Sequence, residues 1–149
     1  MSRSGHTLAE LVVVVLVVAV LACIAVPRLQ FATVHRANAD IMARTLATDL
    51  RRARAAAILY AAENTDGFAV VMNGAPDRYT GYEIVNLKDS DVLKHHEIPA
   101  AVCCSGGGRF EFGPLGNLKE GSDTQLQVSS EGRTSTITVV PATGMVKCF

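Results

Sequence analysis

The chain has 149 residues, 49% of them hydrophobic, and its fourteen basic and fourteen acidic side chains cancel. That length suits one domain rather than two, and a zero net charge excludes a globally basic protein built to coat a polyanion. The apolar residues concentrate between Leu8 and Val26, so the remainder has an ordinary soluble composition.

The first element is the apolar run. Leu11 to Val26 is sixteen unbroken apolar residues with one carboxylate, Glu10, at its mouth. As a helix those residues span roughly 24 Å. Extended back to His6, the stretch approaches the ~20 residues that a bilayer core requires. In lipid only helices and closed barrels satisfy the backbone, so valine richness does not argue against a helix. The expectation is a membrane-spanning helix over residues 6–27.

Four readings compete for this segment. A cleaved secretory signal fits poorly, because MSRSGH carries only Arg3 and no small-x-small site precedes Pro27. A lipoprotein signal rests on Val20-Leu21-Ala22-Cys23, but apolar Ile24-Ala25-Val26 follows where a soluble tether belongs. A plain anchor leaves Glu10 unexplained, since a carboxylate at the centre of a membrane helix costs about 2.5–3.5 kcal/mol on insertion scales. A cut after Gly5 would supply a partner: the α-amino group of His6, four residues before Glu10. An ammonium and a carboxylate in an apolar setting stabilise each other.

Gly5-His6-Thr7-Leu8-Ala9-Glu10, the apolar run and Pro27 resemble the class III signal of type IV pilins and type II secretion pseudopilins. The departure is His6, where that family usually has Phe. The resemblance implies a leader over residues 1–5, cleavage between Gly5 and His6 by a prepilin peptidase, and methylation of the new amine. It also implies that Glu10 meets a terminal amine during filament assembly. Arginine counting points the other way, with Arg3 before the segment and Arg28 and Arg36 after it. The processing motif outweighs that rule, because the peptidase needs the leader on the cytoplasmic side.

Past Pro27, which is expected to kink the helix, the pattern turns amphipathic. Met42, Leu46, Leu50, Ala53, Ala57 and Tyr60 recur at spacings of three and four and form an apolar stripe. Arg36, Asp40, Arg44, Arg51 and Arg54 form a charged one, with Asp40 before Arg44 in the favourable i,i+4 order. Ile58 falls on the charged side without explanation. Asn64-Thr65-Asp66-Gly67 should end the helix, with Gly67 just past it. Charge is segregated: residues 28–54 hold six arginines against Asp40 and Asp49, whereas residues 63–149 hold seven basic and eleven acidic side chains.

The rest reads as short β-prone runs: Gly67–Met72, Tyr79–Leu87, Val92–Ile98, Arg109–Phe112, Thr124–Val128, Thr134–Val140 and Met145–Cys148. Asn73 to Asp77 and Ala142-Thr143-Gly144 read as turns, and Ser105-Gly106-Gly107-Gly108 as too flexible for a strand. The expected fold is α+β: a long N-terminal helix packed on an antiparallel β-sheet head, with the head over residues 28–149. Cys103, Cys104 and Cys148 lie beyond the apolar run, and export would expose them to an oxidising compartment. Adjacent cysteines rarely pair, so a bridge from Cys148 to Cys103 or Cys104 is expected.

Leu46 to Thr65, LATDLRRARAAAILYAAENT, is similar to the Leu-x3-Leu-x2-Ala-Arg-x-x-Ala helix of GspH/FimT-type minor pseudopilins. Phe112-Gly113-Pro114-Leu115-Gly116 and the ending Val140 to Val146 are similar to that family's β-rich tail. This resemblance implies a structural subunit of a type II secretion pseudopilus or, alternatively, a minor type IV pilin. Its partners would be other pilins or pseudopilins, the prepilin peptidase and the inner membrane, with the head in the periplasm. Family members often carry Gly-Arg in the final turn, where this chain has Gly144-Met145. That departure counts against a role in DNA binding.

Enzymatic chemistry finds no support. His95-His96 and Cys103-Cys104 lack the usual metal-ligand spacings, so no metal or other cofactor is expected. The histidines should straddle a strand, one inward and one solvated. No nucleophile elbow, phosphate loop or zinc-protease motif occurs. Arg51, Arg52 and Arg54 are the phosphate-contact candidates, but no stacking aromatics interleave with them. Nucleic acid is therefore the weaker candidate partner.

Overall fold

A computed structural model describes residues 7–149, apart from the side chains of residues 24–36. The chain divides into two compact units, Met1–Val34 and His35–Phe149. Helix α1 (Leu8–Leu59) begins in the first and ends in the second. Its first turn is set by Thr7, whose hydroxyl accepts the Glu10 backbone N–H at 3.3 Å while its carbonyl accepts that of Leu11. Thr7-x-x-Glu10 has the spacing of a capping box. The helix is continuous through residue 27. The processing pair Gly5 and His6 lies outside the described residues.

In the second unit α1 buries Ala39, Met42, Ala43, Leu46, Ala47, Leu50, Ala53 and Ala57. This is the expected stripe, except that Tyr60 is about half exposed. The stripe covers two four-stranded antiparallel sheets. The first has the order β3-β2-β1-β5, from β1 (Phe68–Ala75), β2 (Arg78–Asn86), β3 (Val92–Glu97) and β5 (Arg109–Phe112). The second has the order β4-β6-β7-β8, from β4 (Cys103–Gly106), β6 (Gln125–Ser130), β7 (Arg133–Val140) and β8 (Met145–Cys148).

Alternation along the strands aims Val70, Tyr82, Phe110 and Phe112 of one sheet, and Leu126, Val128, Ile137 and Val139 of the other, into one core with Leu46 and Leu50. Full burial of each such side chain contributes about 1.5–3 kcal/mol. The whole core cluster lies between Met42 and Val146, so the unit His35–Phe149 carries its own core.

Besides the turn expected over Asn73 to Asp77, whose first three residues instead extend β1 to its Ala75↔Arg78 pair, three expectations need correction. Strand β4 occupies Cys103–Gly106, including two residues of the Gly-rich stretch read as too flexible. Fully buried Cys104 anchors it, and its register on β6 runs from Cys103↔Ser129 to Gly106↔Leu126. The helix ends at Leu59 rather than Asn64. Asn64 is instead a buried node of the following turn: its Oδ1 accepts the N–H groups of Asp66 and Gly67, and its Nδ2 donates to the Gly67 carbonyl. Gly67, at φ +80°, immediately precedes β1, and any Cβ there would run into the Phe112 carbonyl.

The third correction concerns the cysteines. Strands β4 and β8 lie at opposite edges of their sheet, three strand spacings apart. That is about 14 Å, whereas a bridge needs Cα atoms within about 7 Å. Cys103, Cys104 and Cys148 are accordingly free. The C-terminus is held by backbone instead, through reciprocal bonds of 3.0 Å between Phe149 and Thr136.

Candidate assembly surface

In the first unit, every large apolar residue from Leu8 to Leu21 is between 50% and 84% exposed. No face is favoured, and a helix that is hydrophobic all round is normally covered by protein or lipid. Among the described residues no helix is long and apolar enough to cross a membrane. In sequence the run continues through Ile24-Ala25-Val26, whose side chains are not among the described ones. Glu10 sits exposed in the first turn of α1. A carboxylate there also meets the positive end of the helix dipole, so part of its reason is local. The Thr-x-x-Glu spacing was visible in the sequence and is the signal that reading Glu10 as a membrane defect passes over.

The second unit makes the helix a rigid platform through a buried charge. Asp49 is 1% exposed on the apolar stripe of α1. Its carboxylate accepts the Tyr82 hydroxyl of β2 at 2.6 Å and the Lys94 ammonium of β3 at 2.7 and 2.9 Å. Arg52 approaches the same carboxylate at 3.5 Å. Burial first, and then the bond to Asp49, raise the Tyr82 pKa, so its hydroxyl remains a donor. The sequence signal was Asp49 itself, a carboxylate three residues after Leu46 within the apolar spacing.

A second lock forms at Arg54. Its Nε donates to the Gly116 carbonyl at 3.1 Å and the Thr143 carbonyl at 3.0 Å. Gly144, at φ +61°, lets the Gly116 carbonyl approach so closely that any Cβ would overlap it. Ile58, unexplained by the helix pattern, lies over Gly116, with its Cδ1 2.6 Å from where a Gly116 Cβ would stand. Arg51 donates to the Val146 carbonyl of β8 at 3.1 Å, and Asp40 pairs with Arg133 of β7 at 3.1 Å. Much of the charged stripe thus ties the helix to the sheet edge.

The other sequence candidates do not gather into a site. His95 is exposed beside Glu83 at 3.1 Å, while His96 is half-buried with its ring 5.2 Å from that of Tyr82. Cys103 and Cys104 belong to the other sheet. Burial, and secondarily Cys103, push the Cys104 thiol up to about 12. Among the described residues no three metal-ligating side chains come together. The backbone N–H groups of Gly108 and Arg109 are taken by the Asp123 carboxylate, at 2.7 and 3.0 Å.

A long N-terminal helix whose second half packs on antiparallel sheets is the pilin fold. Among solved structures the chain is similar to the type IV minor pilin FimU of Pseudomonas aeruginosa, with a TM-score of 0.62 and 17% identity over 76% of this chain and 90% of that one. A second crystal form of FimU gives a TM-score of 0.58 and 15% identity, over 72% and 89% of the two chains. At such identities the likeness is one of fold. No protein-family model matches the sequence, and neither does any curated protein.

Proposed function

We propose that this chain is a structural subunit of a pilin-like filament, without enzymatic activity of its own. The observation that carries the reading is the combination of a pilin-fold head with an N-terminal helix exposed and apolar on every face, capped by Thr7. Such a helix is an unfinished interface. Lipid covers it before assembly, and the helices of neighbouring subunits cover it afterwards.

The leader would be removed after Gly5, freeing the amine of His6. Glu10 would then meet the terminal amine of a neighbour. Within this reading the subunit belongs to the minor pseudopilins of a type II secretion machine, resident in the inner membrane with its head in the periplasm. The likeness to FimU favours a second version, a minor subunit of a type IV pilus. Other pilins and the prepilin peptidase are its partners in either case.

Mass spectrometry of the mature N-terminus tests the processing step: a chain beginning at methylated His6 is expected, and a lipidated Cys23 would end the proposal. Glu10→Leu tests the joint. It should leave membrane insertion intact and abolish incorporation into filaments recovered from cells; normal incorporation of this variant would refute the pairing.

A further inference from the structure

At the C-terminal end of α1 the head carries an open cavity of about 340 Å³. Tyr60, Phe68 and Leu93 form its apolar wall, with the two rings 6.1 Å apart and tilted by 48°. Glu63 and Asp89 stand at its rim. The local cation, Lys88, donates its ammonium to the Glu63 backbone carbonyl at 2.9 Å. Asp89 receives only a long 3.4 Å contact from Asn86, and among the described residues no ion pair forms at either carboxylate. An aromatic face beside uncompensated carboxylates, at the negative end of a helix, favours a cationic side chain with an apolar stem.

The same unit presents such side chains elsewhere. Arg44, Thr48 and Arg52 recur every four residues along the exposed face of α1 and make one ridge. Arg44 has no acidic partner among the described residues. Arg52, with its side chain 67% exposed, reaches only to 3.5 Å from an Asp49 already held by Lys94 and Tyr82. The ridge is therefore net positive and the cavity rim net negative.

We propose that the cavity at the end of α1 receives an arginine of the Arg44–Arg52 ridge from a second copy of this chain. Ridge and cavity are different patches, so the joint is heterologous. This deepens the filament reading by naming a contact between heads, independent of the apolar helix.

The test uses the unit His35–Phe149, which holds the entire core. Sedimentation velocity at low ionic strength should show concentration-dependent self-association that weakens with added salt. Glu63→Gln with Asp89→Asn should weaken it about tenfold, the sum expected of screened ion pairs and one cation–π contact. Charge reversal gives the sharper result. Glu63→Arg/Asp89→Arg and Arg44→Glu/Arg52→Glu should each be monomeric alone, and mixing them should restore association. Unchanged far-UV circular dichroism separates lost binding from lost fold.

A wild-type unit that stays monomeric at every concentration overturns the proposal. So does a reversed variant that associates like wild type, or a mixture that fails to associate. Any of these would leave the Glu10 test untouched, and a failed Glu10 test would not alter this one.

Discussion

Replacing Lys94 by Met should destabilise the head far more than loss of a surface lysine would. The Asp49 carboxylate has a side-chain exposure of 2% and takes both of its short ionic contacts from Lys94. Removing one partner of a buried pair costs about 3–5 kcal/mol, because the other charge remains stranded. Lys94 is itself 35% exposed, so water can enter where its ammonium stood, and Arg52 remains at 3.5 Å. Those two facts reduce the expected cost to about 2 kcal/mol. Urea unfolding of His35–Phe149, followed by circular dichroism, should show the midpoint falling at an unchanged slope. The thermal midpoint should drop by about 8 °C. Asp49→Asn alone should also destabilise, but combined with Lys94→Met it should cost less than the sum, with a coupling of at least about 1 kcal/mol. A Lys94→Met cost below about 0.5 kcal/mol, additive with Asp49→Asn, would refute the reasoning and reduce the pair to surface decoration.

Alkaline pH should weaken the head in a defined window. Folded Cys104 holds its proton up to about 12 against an ordinary value of 9.0, and the Tyr82 pKa is raised as well. The unfolded chain releases both protons earlier, so stability is intact below pH ~9 and declines toward pH 12, by about 1.4 kcal/mol per pH unit for each group in its window. Urea midpoints between pH 8 and 11 measure this, and Cys104→Ala should flatten the lower part of the decline; a profile level to pH 11 would contradict the burial of both groups. Gly144→Ala should cost at least about 2 kcal/mol, since left-handed strain and overlap with the Gly116 carbonyl add. Gly132→Ala, at φ +79° with nothing near its Cβ position, should cost only about 1 kcal/mol. Equal thermal midpoints for these two variants would contradict the close approach at Gly144.

Periodicity served the helix and most strands because one side of each element is buried. The three-and-four spacing from Met42 to Ala57 is the buried stripe, and Arg109–Phe112 and Met145–Cys148 fall where alternation places them. Strand β4 escaped because four residues ending in glycine carry too little alternation to register. The cysteine pairing failed for a different reason. Strand order decides which edges meet, and local pattern does not encode it: β4 docks on β6 and β8 on β7, with two strands between the thiols. The exposed apolar helix was legible as composition alone, whereas the cap that Thr7 gives its first turn needed the three-residue spacing to Glu10 as well.

The arginines show why a charge count cannot stand for a site. Arg51, Arg52 and Arg54 are close in sequence but lack the interleaved aromatics of a phosphate-binding cluster, and the fold gives each a separate destination. Arg51 holds the Val146 carbonyl, and Arg54 holds Gly116 and Thr143. Arg52, which reaches only to 3.5 Å from Asp49, keeps most of its side chain in solvent. The three segments whose sequence resembled pseudopilins, the Arg54 helix, the Phe112-to-Gly116 turn and the Val140-to-Val146 ending, meet at that Arg54 lock. Their shared pattern is thus a packing requirement: a planar donor between two carbonyls, and a glycine where no Cβ fits. Such a pattern specifies how the head closes on its helix and says nothing of what the head contacts. Contact is left to the residues that the lock does not use: Arg44, Arg52, and the carboxylates at the far end of the helix.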